Sequence, residues 1–411
     1  MKSKKMDRRL VTILLIVFVQ IVGMGLILPI LPLYTQRQFN MSPEAISLLI
    51  ASFFIAQFIA GPFLGRLSDK YGRLPVLIVS QIGTAISFVM LGLAESVTML
   101  FIARIFDGIT GGNIIVAQAY VTDITPPERR AQSLGLIFAA FGVGFAVGPA
   151  MGGVLSALFG PKIPFFFAAL VALATVFLTW FTLDETLSPE QRETNRNFKK
   201  AGLTPNQVLR NSTLLLILLI AFSGQFLMGM IQSTFALYGE AVLLVGYSPE
   251  MVNLGVGLLL TVVGLSQLFV QILLLPRMLD RFGEAKLVII GTLIRSVAMF
   301  TFAVAAMLWM GVLASMLLPL GMGLMMPPLQ SLATRTVADE LRGGILGLYQ
   351  STMSLAIIFG TSLGGIFFAM GPTLPFWIGG GLGILIVLPS VVLWQKTIGL
   401  SMDEDTILAS G

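Results

Sequence analysis

Twelve stretches of this chain stay mainly apolar for about 20 residues, the length a helix needs to cross the hydrocarbon of a bilayer. In that solvent every backbone N–H and C=O must find a partner inside the protein, so only helices or closed barrels can span it. The apolar runs are continuous rather than alternating, which excludes a barrel. They lie at 10–34, 45–66, 74–94, 97–120, 131–158 and 163–183, and again at 211–237, 251–275, 286–308, 311–332, 343–370 and 374–395. Composition agrees: 56% hydrophobic and 11% charged residues are incompatible with a water-soluble domain of 411 residues. The expected fold class is an all-α membrane protein with twelve transmembrane helices.

Basic residues in short loops stay on the cytoplasmic side, so their positions orient the chain. With the N-terminus inside, all of the 25 Lys and Arg residues face the cytoplasm except Arg37, Lys162, Arg104 and Arg295. The first two fall outside, and the other two sit within predicted helices. One missed helix would exchange the sides of every later loop, so this asymmetry supports the count and places both termini inside. The net charge of +5 then reflects topology and not a nucleic-acid surface. No cleavable signal peptide is evident, because the first apolar run is too long and no small-residue cleavage site follows it. The absence of Cys and His excludes disulfides and thiol catalysis and removes the commonest metal ligand and catalytic base. No GxxxxGK[ST] segment occurs, which argues against an ATP-driven pump.

The segment GRLSDKYGR, residues 65–73, has a degraded echo in PRMLDRFGE, residues 276–284, with Asp69 and Asp280 211 positions apart. GPAMGG at 148–153 is matched by GTSLGG at 360–365, and ERRA at 128–131 by ELRG at 340–343, both offset by 212. Similar offsets at three places indicate a parallel duplication. The expected organisation is a six-helix bundle over 1–185, a charged cytoplasmic linker over 186–210, a second bundle over 211–395 and a cytoplasmic tail over 396–411.

With these residues in view, the chain resembles the major facilitator superfamily over nearly its whole length, which implies two pseudo-symmetric six-helix bundles. GRLSDKYGR is similar to that superfamily's signature between its second and third helices, with Gly65, Leu67, Asp69, Gly72 and Arg73 in place and Leu74 at a usually basic position. GVGFAVGPAMGG, residues 142–153, resembles the fifth-helix motif of proton-coupled drug antiporters through Gly144, Gly148, Pro149, Gly152 and Gly153. RIFDGITGG, residues 104–112, resembles the fourth-helix motif, keeping Arg104 and Gly108 but placing Asp107 where Gln is frequent. Together these look most like the tetracycline-resistance and multidrug branch of 12-helix exporters.

The motifs also have readings of their own. Gly65 and Gly72 bracket a tight turn. Asp69 and Arg73 can pair with each other or with Asp123, and Asp280 and Arg281 repeat the charges in the second half. The resemblance implies a conformational latch, whereas a plain reading is a charge cluster that fixes topology. Exposed ion pairs contribute only ~0–1 kcal/mol each, so a latch needs several partners or partial burial. The Gly144, Gly148 and Gly152 spacing leaves one side of helix 5 bare for close packing, and Pro149 can bend it. This reads either as ordinary packing or as a hinge or seal between the halves.

An ionisable residue inside the bilayer is costly and therefore a functional candidate, and Asp107 is the one acid placed there. Residues 104, 107, 111, 118 and 122 fall on one helical stripe, expected to face a watery cavity. Pairing with Arg104 favours an ionised Asp107 and loss of water favours the neutral acid, so Asp107 reads either as a proton carrier modulated by Arg104 or as a permanent structural partner. For Arg295, structural anchoring by a side chain that snorkels to the interface is expected. Gln20, Gln57, Asn113, Gln118, Phe141, Gln225, Gln232, Gln267 and Gln330 lie on helices that line the cavity in the resembling family or beside them, and other Phe residues could make the lining partly aromatic.

The expected function is a secondary transporter that exports an amphipathic, drug-like molecule in exchange for protons by alternating access. A proton-coupled nutrient importer and a lipid or glycolipid exporter share the fold, and a non-transporting receptor or scaffold is the reading from another class. No enzyme activity, metal or cofactor is expected, with the proton gradient as energy source. The expected partners are a small-molecule substrate, protons and the lipid bilayer, with no nucleic acid and a monomer as the working unit. The expected location is a bacterial plasma (inner) membrane.

Overall fold

The computed structural model describes residues 8–111, 113–126, 130–188, 190, 205–336 and 342–409, and among these it contains helices and no strands. Twelve stretches are long and apolar enough to cross a membrane. Spans 1 to 6 are Arg8–Phe39, Pro43–Tyr71, Arg73–Gly92, Val97–Ile124, Gly142–Phe159 and Ile163–Thr182. Spans 7 to 12 are Ser212–Leu243, Pro249–Phe282, Glu284–Ala303, Leu308–Arg335, Gly344–Met370 and Leu374–Thr397. The twelve-helix expectation therefore holds.

Local chemistry sets the ends. Ser42 caps span 2 by accepting from the Ala45 N–H, with Pro43 in the first turn, and Ser96 caps span 4 by accepting from Met99. Gly72 and Gly283 end spans 2 and 8 with φ of 107° and 72°, a region that favours glycine, and each leads directly into the next helix. The two turns occupy equivalent places in the repeat.

Several spans are not single α-helices. Span 1 consists of helices Arg8–Ile27 and Ile30–Phe39, parted at Leu28–Pro29, where proline has no N–H to continue the ladder. Span 4 consists of Val97–Thr110 and Asn113–Ile124, the first ending at Gly111, and Gly112 lies outside the described residues. The wider π turns Gly239–Leu243 and Val270–Leu274 lie in spans 7 and 8. The helix begun at Leu374 continues to Ala409, so the stretch expected as a tail from 396 is helical over most of its length. Of the expected linker 186–210, residues 189 and 191–204 lie outside the described residues, and Pro205–Arg210 forms a short helix. The ERRA and ELRG echoes likewise fall largely outside them.

The chain packs as two units, Met1–Lys199 with Ser233–Leu265, and Lys200–Gln232 with Ser266–Gly411. In this grouping the ends of spans 7 and 8 that face their connecting loop pack with the N-terminal residues. In the first unit span 1 packs on spans 5 and 6, span 3 on spans 4 and 6, and span 2 on span 4. Ile13, Ile16, Val17, Leu77, Val116 and Tyr120 are among its core. In the second unit span 9 packs on spans 10 and 12, and Leu214, Ile217, Val288, Leu329, Ile345 and Tyr349 lie in the core.

The glycines of span 5 set how closely span 1 approaches. A Cβ at Gly144 would lie 2.8 Å from Ile21, one at Gly148 2.8 Å from the Gly25 Cα, and one at Gly152 2.2 Å from the Leu26 carbonyl oxygen. Lipid supplies little hydrophobic drive between helices, so such backbone contact supplies much of the adhesion. Gly360, 212 positions after Gly148, repeats this in the second unit, where its Cβ would lie 1.9 Å from the Phe226 carbonyl oxygen. Most of the span 5 glycine series thus packs on span 1, while Gly153 and the Pro149 carbonyl meet Gly257 of span 8 within the same unit. Gly152→Ala is expected to force spans 1 and 5 apart at a cost of about 1–3 kcal/mol, read as a lower thermal unfolding midpoint of the purified protein. Gly65→Ala, whose Cβ meets nothing within 4 Å, should leave it unchanged.

Candidate functional site

The break in span 4 places one charged pair in the interior. Arg104 and Asp107 lie in the last turns of the helix Val97–Thr110, 8% and 5% exposed, and the Arg104 Nη1 donates to the Asp107 Oδ2 at 2.9 Å. The Thr84 hydroxyl of span 3 hydrogen-bonds to the same carboxylate. On its other side the guanidinium lies over the Phe53 ring of span 2, 4.3 Å from its centroid, and the Arg104 Nε has no hydrogen-bond partner among the described residues. Gly108 allows span 2 to approach, since a Cβ there would lie 2.4 Å from the Phe53 carbonyl oxygen. The interruption leaves carbonyls without helical partners, and the Gln57 Nε2 donates to that of Gly111 at 3.0 Å.

This geometry modifies the expectation of a continuous stripe facing water. Arg104 and Asp107 are enclosed by spans 2 and 3, and Gln118 and Thr122 belong to a separate helical segment beyond the break. The cause is Gly111, where the helical ladder that would have kept the register ends. The pair can hold or release one proton: with Asp107 ionised the two charges cancel, and with Asp107 neutral the buried arginine loses its counterion. A buried charge left alone is strongly destabilising, so a change of protonation must be answered by movement or by another partner.

At the end of this unit that carries Asp69, Arg73 is the centre of a network. Its Nη1 lies 2.6 Å from Asp69 and 2.7 Å from the Ser68 Oγ, and its Nε donates to the Asp123 Oδ2 at 2.9 Å. The backbone N–H groups of Arg73 and Leu74 donate to the two oxygens of Glu185 at 2.9 and 3.1 Å, so a carboxylate from beyond span 6 caps span 3. The same Glu185 also accepts from the N–H groups of Thr186 and Leu187, and Asp184 pairs with Arg9 at 3.0 Å. Asp69, Arg73 and Asp123 are thus brought together as expected. Asp184 and Glu185 were not singled out by sequence reasoning, because no spacing rule links a chain segment to a helix end 112 positions away.

The second unit carries this device with its charges exchanged. Asp280 and Arg281 are exposed and form no ion pair among the described residues, Arg281 lying against the Phe282 ring. Instead Glu284, 211 positions after Arg73, accepts from Arg335 at 3.0 Å and from the Ser331 Oγ at 2.7 Å. Arg335 lies 212 positions after Asp123, so the Arg73–Asp123 contact is repeated by Glu284–Arg335 with the signs reversed. A register of the two halves allowing opposite charges would have found this pair, whereas the search for like residues pointed to Asp280.

At the opposite end of the first unit Arg37 gathers acceptors from the facing ends of spans 7 and 8. Its Nε and Nη2 donate to the Glu240 Oε1 at 3.0 and 2.7 Å, and its Nη1 to the Asn253 Oδ1 at 3.1 Å and the Pro249 carbonyl at 3.4 Å. The Asn253 Nδ2 donates in turn to the Ser156 Oγ of span 5 at 2.9 Å. Sequence reading noticed Arg37 only as a basic residue outside.

The expected cavity residues are distributed between the units. Gln20, Gln57 and Gln118 are half-buried in the first, and the side chains of Asn113 and Phe141 lie outside the described residues. In the second, Gln225 and Gln232 have buried Oε1 atoms without partners, Gln267 donates to the Gln271 Oε1 at 3.2 Å, and Gln330 is exposed.

Two variants test these networks. Glu185→Ala removes two charge-assisted caps and is expected to destabilise the first unit by about 1–2 kcal/mol, measured as a lower unfolding midpoint. Arg37→Ala removes these four hydrogen bonds, so amide hydrogen exchange over residues 240–253 should accelerate while that around Arg73 stays unchanged.

Comparison with known proteins assigns the family. The Major Facilitator Superfamily model matches residues 13–255 and 233–401. Multidrug resistance protein 2 of Bacillus subtilis is 28% identical over 397 residues, covering 94% of this chain and 97% of that protein. Tetracycline resistance protein, class C, of Escherichia coli is 31% identical over 394 residues, again covering 94% and 97%. Among solved structures, the human organic anion transporter MFSD10 superposes with a TM-score of 0.68 at 22% identity, covering 93% of this chain and 99% of that one. The nucleoside transporter NupG gives a TM-score of 0.71 at 14% identity with 95% and 99% coverage, so these two likenesses concern the fold. With twelve spans and family matches over almost its whole length, the chain belongs to the Major Facilitator Superfamily, as a multi-pass membrane transporter of small-molecule substrates and not an enzyme.

Proposed function

We propose that this transporter exports amphipathic, drug-like molecules across a bacterial plasma membrane in exchange for protons, by alternating access between the bundles 1–185 and 211–395, with both termini in the cytoplasm. The observation that carries the reading is the buried Arg104–Asp107 pair, a carboxylate enclosed inside the fourth span with a guanidinium that depends on it. The names of the relatives, multidrug and tetracycline resistance proteins, support export of such compounds. Half-buried Gln side chains and neighbouring aromatic rings, such as Phe53 with Phe54 and Phe222 with Phe226, suit amphipathic solutes.

In this mechanism a proton arriving at Asp107 cancels the charge that holds Arg104. The guanidinium then needs another acceptor, and the cost of leaving it alone favours the conformation that supplies one. Proton release restores the pair. A membrane potential of 100 mV contributes ~2.3 kcal/mol per charge. With about 1.4 kcal/mol per pH unit added, one proton sustains roughly a 500-fold gradient of a neutral compound. The Arg73 network governs turnover and not substrate choice, since it lies at one end of the unit, away from Asp107. No metal or cofactor takes part in the proposal.

The test is efflux from proteoliposomes under an imposed pH gradient. Asp107→Asn, which keeps the shape and removes the titrating group, is expected to abolish acceleration by the gradient while leaving gradient-independent exchange measurable. Unchanged coupling would remove Asp107 from the proton pathway, and uptake in place of efflux in the unaltered protein would identify an importer.

A further inference from the structure

The buried pair of span 4 has a third member that the exchange mechanism does not use. The ring of Phe53 in span 2, 7% exposed, faces the Arg104 guanidinium, with 4.3 Å between the ring centroid and the Arg104 Cζ. Glycine makes this approach possible. Gly108, one turn after Arg104, lets the span 2 backbone close in, since a Cβ there would lie 2.4 Å from the Phe53 carbonyl oxygen and 2.7 Å from the Ala56 Cβ. A Cβ at Gly111 would lie 3.5 Å from the Phe53 Cε2, so the ring reaches along the helix from Arg104 to its end. Gln57, one turn beyond Phe53, fixes the register of the two spans by donating to the Gly111 carbonyl at 3.0 Å.

A ring face carries the negative end of its quadrupole, and a guanidinium over it is attracted more strongly when both are out of water. Arg104 is buried, and its Nε has no hydrogen-bond partner among the described residues. Its Nη1 is committed to Asp107, so the carboxylate and the ring hold the charge between them. They differ in one respect: a proton cancels the charge of the carboxylate and leaves the ring unchanged. Burial alone does not bring a ring to an arginine in this chain. Arg295, the buried arginine of the second unit, is 5% exposed and so does not snorkel to an aqueous face as expected, and its Nη2 donates to the Ser223 carbonyl at 3.3 Å.

We propose that Phe53 is a positioning residue of the proton-coupling pair, its ring face retaining the Arg104 guanidinium beside Asp107 while that carboxyl group is neutral. This rests on the reading of Asp107 as the proton carrier. A ring attracts the cation but cannot cancel its charge, so the neutral state still demands an acceptor. With the guanidinium held in place, that acceptor must be brought to the cation, which turns a proton into a movement of helices. When the proton leaves, the pair re-forms without a search by the long side chain. An aliphatic residue at 53 would fill the same space and do neither, because stacking needs a ring against the planar guanidinium.

The experiment is thermal unfolding of the purified full chain with Phe53 replaced by phenylalanine carrying one, two or three ring fluorines. Fluorine withdraws negative charge from the ring face with little change of shape, so packing is nearly constant along the series. Three backgrounds are compared: the unaltered protein, Asp107→Asn, which stands for the neutral carboxyl group, and Arg104→Met with Asp107→Asn, which has no cation. In Asp107→Asn the midpoint should fall stepwise, three fluorines lowering the folding constant about tenfold. The fall should be smaller in the unaltered protein and absent in the double variant, whereas a ring that only fills space would respond alike in all three. No fall in Asp107→Asn, a fall no larger there than in the unaltered protein, or an equal fall in the double variant would each overturn the proposal. Should Asp107→Asn not fold, the unaltered chain against the double variant decides, with a stepwise fall expected in the first alone and equal responses overturning the proposal. The readout needs neither substrate nor gradient, so its failure leaves the efflux test of Asp107→Asn standing, and failure of that test leaves the ring contact standing.

Discussion

Hydrocarbon cannot hydrogen-bond, and this constraint governs every unusual feature of the protein. A backbone group freed inside a span must be met by the chain itself, as the Gly111 carbonyl is by Gln57. A charge must be matched likewise, as Arg104 is by Asp107, whose carboxylate is held in turn by Thr84. The same rule makes Glu185 valuable at the start of span 3, where two N–H groups without helical acceptors face the end of a membrane helix.

Within that solvent, adhesion between helices comes from close backbone approach. Gly148 on span 1 and Gly360 on span 7 are equivalent contacts in the two halves of the duplication, and in both a methyl group would meet main-chain atoms. The duplication preserves geometry more strictly than chemistry. Gly72 and Gly283 make the same left-handed turn, while the ion pair behind each turn has its signs exchanged. A salt bridge is indifferent to which partner carries which charge, so drift between the copies can reverse a pair as long as both members change. That freedom explains why Asp280 resembles Asp69 in sequence without repeating its ion pair.

Much of the fold was legible in the chain. Apolar runs of the right length count the spans, and the offset of 211 to 212 marks the repeat. Asp69, Arg73 and Asp123 were placed together because they flank the same helix ends, and Arg104 with Asp107 because three residues along a helix share a face. Helix breaks inside spans 1 and 4 escaped hydropathy, which averages over windows longer than such short interruptions. The grouping of Ser233–Leu265 with the N-terminal residues escaped it as well, since it depends on Arg37, Asn253 and Gly153 meeting groups about 100 to 200 positions away.

The amino-acid sequence by itself determined that this is a twelve-span membrane protein, where its turns lie, that its halves are related and which acid is buried. These properties depend on local composition, length and periodicity, which neighbouring residues carry. Only the tertiary structure decided that Glu185 caps span 3, that Glu284 and Arg335 stand in for Arg73 and Asp123, and that Arg295 is enclosed without an ion pair among the described residues. Pairing and burial depend on which side chains converge in space. Inside a bilayer that convergence decides whether a buried charge is balanced.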